Sequence, residues 1–155
     1  MKSPFSVPVT PDWQGLVKSV LRDGMPDRVH HIELFLDGEM QDEIARRFGV
    51  LDGLDASDPY FAEKKQVALQ SFLGYDFIRC GADRFDMPLR HEIAADTAGL
   101  ARDGGRSFVN EHVGPITNWA EFEAYPWPKP EDVTFRSLEW YEENLPDSMC
   151  VIGSG

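Results

Sequence analysis

The sequence predicts an α/β fold. Strand-like apolar runs at residues 29–36, 76–80 and 149–152 are separated by stretches with helical apolar spacing. Strands with helices between them join through crossovers, which place neighbouring strands parallel. The chain has 155 residues, 42% of them hydrophobic and 12% aromatic, enough to build the core of one ordinary domain. No run of about 18 apolar residues occurs, so no membrane-spanning segment is expected.

The first helix is marked by Thr10 as N-cap, Pro11 at the first helical position and Asp12 near the positive helix start. Trp13, Leu16, Val17, Val20 and Leu21 then form one apolar stripe, and Gly24 with Pro26 ends it. The strand at 29–36 runs into an Asp37-Gly38 turn. A short helix over 39–48 places Met40, Ile44 and Phe48 on one face before Gly49. Asp58 and Pro59 open a longer helix that Gly74 terminates.

The second strand spans 76–80, and residues 81–105 show no regular pattern. A strand at 107–113 is expected to form a hairpin with residues 97–102 across Asp103-Gly104-Gly105. Asn118 followed by Glu121 marks another helix start. The alternating prolines of Tyr125-Pro126-Trp127-Pro128-Lys129-Pro130 force an extended path. A helix at 135–145 and a strand at 149–152 complete the order.

Charge and cysteine content narrow the function classes. Fifteen Lys and Arg against 27 Asp and Glu leave a net charge of −12. Such a chain repels phosphate backbones, so a nucleic-acid partner is disfavoured. The acids are spread along the sequence, as on a solvated surface. Cys80 and Cys150 sit in apolar runs without a CxxC pattern, which fits buried free thiols in a reducing cytoplasm.

Pro26-Asp27-Arg28-Val29, closing a first helix, resembles the start of the uroporphyrinogen decarboxylase superfamily. Gly114-Pro115-Ile116, then Trp119-Ala120-Glu121-Phe122, then Tyr125-Pro126-Trp127-Pro128 is similar to a segment of its methyltransferase-like members. Leu145-Pro146-Asp147 before the Val-Ile-Gly strand fits the same pattern. The resemblance implies a (β/α)8 TIM barrel, a fold of about 250 residues. This chain is then expected to be its amino-terminal portion: a partial barrel with about three barrel strands and an inserted hairpin, ending at a strand.

Several site residues follow from the resemblance. In the decarboxylases, two arginines flank a glycine after the first strand and bind substrate carboxylates. Gly38 matches that glycine and is a substrate-binding candidate, while the arginine positions fall on Phe35 and Glu39. A polycarboxylate needs cations there, so this departure points away from uroporphyrinogen decarboxylation. The family also uses an aspartate seven residues after the one that opens the second strand. Here Asp76 opens the strand and Asp83 follows, a carboxylate suited to accepting several N–H bonds. The other reading of Asp83 is a solvated loop acid or turn former.

Other residues are read from their own settings. Glu33 lies inside an apolar strand: facing inward, it would be a candidate acid, base or ligand. Facing a helix, it would meet an arginine such as Arg28 or Arg79. Arg79, near the end of the second strand, is a further substrate-binding candidate, and the resemblance suggests that Gly153, in a glycine-rich strand end, lines the pocket and is another. Arg79, Asp86 and Arg90 could equally form surface ion pairs. His30 and His31 are adjacent, so on a strand they face opposite ways and do not easily share a metal. They and His112 read as structural, and no metal ligand is assigned. Ser154, between two glycines, lacks the following helix of a nucleophile elbow.

Three functions compete. The first is corrinoid-dependent methyl transfer, with a corrinoid protein as partner and zinc ligated in a later part of the barrel. The second is tetrapyrrole decarboxylation without a cofactor. The third is a non-catalytic fragment or ligand-binding barrel relative. Neither nucleic acid nor membrane is expected as a partner.

Overall fold

The computed structural model describes residues 7–33, 36–95 and 104–153. It divides into two compact units, Met1–Ala82 with Phe135–Gly155, and Asp83–Thr134.

The first unit is built on a parallel pair of strands, β1 (Phe77–Cys80) and β4 (Cys150–Gly153). Their register sets Phe77 beside Cys150 and Cys80 beside Gly153. Among the described residues, four helices belong to this unit: α1 (Trp13–Leu21), α2 (Gly38–Phe48), α3 (Phe61–Leu73) and α5 (Arg136–Asn144). The crossover into β4 runs through α5, as a parallel connection requires. Ile78, Tyr141 and Met149 form the core, with Val67, Trp140, Leu145 and Val151 packed against them. Across α3 and α5, the Tyr60 and Trp140 rings stack at 5.9 Å and the Arg136 guanidinium lies 4.2 Å from the Tyr60 centroid.

Several helix boundaries match the sequence reading, and three move. Gly49 and Gly74 cap α2 and α3 in the left-handed conformation, and Asn118 caps its helix, all as expected. The cap of α1 is Asp12 rather than Thr10, with its carboxylate accepting the Gly15 N–H at 3.0 Å. The reason is tertiary: the backbone N–H of Asp12 is drawn to Asp76 and that of Trp13 to the Ser148 carbonyl. α1 also stops early, at Arg22 with φ 57°, two residues before Gly24. Residues 58–60 form a turn, in which Asp58 accepts the Tyr60 N–H at 2.7 Å, and α3 begins only at Phe61.

The expected strand at 29–36 is not observed at its described residues, 29–33 and 36; Leu34 and Phe35 lie outside the described set. Val29 is 77% exposed and Ile32 54% exposed, so the apolar run does not enter a sheet. Side chains of Arg28 and His30 anchor this segment instead of a backbone ladder. The strands therefore make two two-stranded sheets among the described residues, and no closed barrel.

The second unit carries an antiparallel hairpin of β2 (His91–Ala94) and β3 (Arg106–Val109). The expected partner segment, 97–102, lies outside the described residues; β3 pairs with the earlier β2 instead. Gly105, at φ +87°, brings its backbone against Ala94, where a Cβ would sit 2.4 Å from the carbonyl oxygen. Only glycine tolerates that approach. α4 (Trp119–Ala124) follows, with Asn118 Oδ1 accepting the Glu121 N–H at 3.0 Å. Glu121 reaches back to Thr117 and also pairs with Arg90 at 2.8 Å. The proline segment is extended into a short 3-10 turn, Pro130–Asp132.

Candidate functional site

Both parallel strands of the first unit end at the same side of the sheet. There the register sets Arg79 beside Ile152 and Cys80 beside Gly153, so two of the sequence candidates share one sheet end. The Arg79 side chain is exposed, and its carbonyl accepts the Gln66 amide at 3.2 Å. Gln66 in turn accepts the Tyr141 hydroxyl at 2.7 Å. A helix side chain thus satisfies a strand carbonyl, and it does so from α3. Gly153 is exposed, with nothing within 4 Å of the place a Cβ would take. Carboxyl ends of parallel strands are where α/β folds bind ligands.

Asp83 belongs to the second unit and closes its base. It forms an isolated bridge with Thr134, with N–H to carbonyl distances of 2.8 and 3.1 Å. The Thr134 hydroxyl lies 3.4 Å from the Asp83 carboxylate. The residue therefore holds the two ends of the unit together. Gly38 is the first residue of α2 and stands exposed with open space around it, while Glu39 lies in the same first turn. Glu33 is exposed. Burial pushes the Tyr75 phenol above its ordinary value, and the charge of Glu33 adds to the rise. Ser154 lies outside the described residues.

The strongest polar cluster lies at the opposite end of β1. Asp76, just before the strand, has no exposed surface. One carboxylate oxygen accepts the Asp12 N–H at 2.6 Å and pairs with the Arg28 guanidinium. The other lies 2.8 Å from His30 Nδ1. His30 has a side chain only 4% exposed, and its ring approaches α1 at Gly15, where a Cβ would stand 3.0 Å from Cε1. One carboxylate thus ties the start of α1, the 28–30 segment and β1 together. Sequence reading treated Asp76 only as a strand opener and His30 as structural. The available signal was charge inside apolar runs, since a buried charge must be paired.

The thiols and imidazoles do not assemble a zinc site. No group of three or more His, Cys, Asp or Glu suited to a metal occurs among the described residues. Burial pushes the Cys150 thiol up, and the Asp76 charge pushes it further. His30 is engaged by Asp76, and His91 Nδ1 lies 3.0 Å from the Ser107 hydroxyl. No described helix is long and apolar enough to cross a membrane. Comparison with protein-family models, curated proteins and solved structures finds no match to this chain.

Proposed function

We propose that the chain is the amino-terminal part of a uroporphyrinogen decarboxylase-like barrel enzyme whose reaction is corrinoid-dependent methyl transfer. The observation that carries this reading is the parallel β1·β4 pair, joined through α5, with Arg79 and Gly153 at its carboxyl end. Parallel strands belong in sheets covered on both faces, and two strands alone leave edges to be paired. Methyl transfer is favoured over decarboxylation because, in the resemblance, the two arginine positions of the decarboxylases fall on Phe35 and Glu39 in this sequence.

In this reading, the Arg79 guanidinium at the strand end binds an anionic group of the substrate, and the exposed Gly153 lets the substrate approach the backbone. Since the described residues do not supply a zinc site, no step here runs through zinc.

The test expresses the complete open reading frame that carries this chain and supplies methylcobalamin with a thiol. Loss of the methyl group, read from the corrinoid absorbance, is the expected result, and Arg79→Gln is expected to lower turnover with the fold intact. Rapid decarboxylation of uroporphyrinogen would replace this reading with the second function. An in-frame stop after Gly155 would overturn both.

A further inference from the structure

The second unit carries a run of aromatic rings that touch one another yet face solvent. Trp119 stacks on Phe122 at 4.9 Å, Phe122 meets Trp127 at 5.2 Å, and Tyr125 meets Trp127 edge-on at 4.7 Å. Trp119 is 71% exposed, Trp127 43% and Phe122 39%. Tryptophan is highly buried on average, so two indoles together at the surface mark a contact site. One face of Trp119 lies on Phe122, and its high exposure leaves the other face open.

The polar atoms of these rings are already used within the unit. Trp119 Nε1 donates to Glu123 at 2.9 Å, Trp127 Nε1 to the Phe122 carbonyl at 3.2 Å, and the Tyr125 hydroxyl to the Pro88 carbonyl at 2.9 Å. Pro126 and Pro128 fix the backbone on both sides of Trp127. The rings are therefore held in place. They offer a partner their faces, with little side-chain freedom left to lose on binding.

The charge around them selects that partner. Between residues 117 and 134, Lys129 is the only Lys or Arg, against Glu121, Glu123, Glu131 and Asp132. Arg90 answers Glu121. Glu123 is exposed at the edge of the Trp119 ring, and its carboxylate keeps further acceptor sites beyond the indole bond. Nucleic-acid bases also stack on such rings, but their phosphates are repelled here. A neutral sugar leaves the carboxylates unanswered. A guanidinium meets both features: it is flat and weakly hydrated, stacks on an indole face, and turns its N–H fork to a carboxylate.

We propose that this ring surface docks an arginine-bearing basic segment of a partner protein, with one guanidinium on the open face of Trp119 and Glu123 as its counter-ion. The surface does not rest on the reaction proposed above.

The test titrates the 155-residue chain with the peptide acetyl-Gly-Arg-Gly-Arg-Gly-amide and follows the tryptophan indole N–H resonances by NMR. Saturable shifts at Trp119 and Trp127 are expected, with Trp13 and Trp140 unmoved and a dissociation constant on the order of millimolar. The lysine analogue, of equal charge, should bind about two- to fivefold more weakly. Trp119→Ala should weaken the arginine peptide by about the same factor. Glu123→Gln keeps an acceptor for the indole and removes the charge, so it should weaken binding and flatten its dependence on salt. Absence of saturable shifts, equal binding of the lysine analogue, or unchanged affinity in Trp119→Ala would each overturn the proposal. So would indole shifts that grow with protein concentration alone, which would make the surface a contact between copies of this chain.

Discussion

Removing the Asp76 carboxylate should loosen the first unit more than any other single polar change. Asp76 is fully buried, with Arg28 27% and His30 4% exposed at their side chains. Among the described residues, Asp76→Ala leaves Arg28 with the Thr10 and Val29 carbonyls, each at 3.5 Å, and it strips the Asp12 N–H of its acceptor. Breaking a buried pair by deleting one partner costs about 3–5 kcal/mol. The partial exposure of Arg28 lets water take up some of its charge, so about 3 kcal/mol is expected. For a chain of this size that is a fall of about 6–12 °C in Tm. Urea unfolding reads the change directly, as a lower midpoint at constant slope. Asp76→Leu combined with Arg28→Met should recover much of the loss, because neither charge is then left unpaired. A loss below about 1 kcal/mol, or a double variant no more stable than Asp76→Ala, would refute the clasp.

Three further outcomes follow from the same geometry. Gly15→Ala should destabilise by about 1–3 kcal/mol in urea unfolding, since its Cβ would press on the Asp12 carboxylate and stand 3.0 Å from His30. The Asp58 carboxyl is held below its ordinary 3.8 by the Lys64 ammonium and then by the Tyr60 N–H. Its folded value is lower than its unfolded one, so its contribution is present above pH 3.8 and fades as pH falls through the folded value. The stability difference between the unaltered protein and Asp58→Asn should therefore shrink as pH falls below 3.8. Cys150, with its thiol pushed up by burial and by Asp76, should react with iodoacetamide at pH 8 more slowly in the folded chain than in urea.

Local chemistry was legible wherever a signal needs only nearby residues. Asn118 with Glu121 announces α4 because a cap is a bond between residues three apart. Gly49 and Gly74 announce helix ends because the left-handed conformation suits glycine. The second and last strands were read from short apolar runs, and their parallel pairing from the helices between them. The site candidates Arg79 and Gly153, the latter suggested by the resemblance, share one sheet end.

Signals that depend on distant partners were misread. The apolar run at 29–36 scores as a strand by composition, yet its described residues bind through Arg28 and His30 to Asp76, 46 or more positions away. Thr10 is as good a cap as Asp12 on local grounds; the pull of Asp76 on the Asp12 N–H decides between them.

By itself, then, the sequence determined the α/β class, most helix positions and the acidic surface, because propensity, capping and periodicity act within a few residues. Only the tertiary structure decided that β3 pairs with residues 91–94, that Asp83 closes its unit on Thr134, and that Asp76 gathers three distant groups. The physical reason is burial: which polar groups lose water, and so must find one another, is settled only when the chain packs.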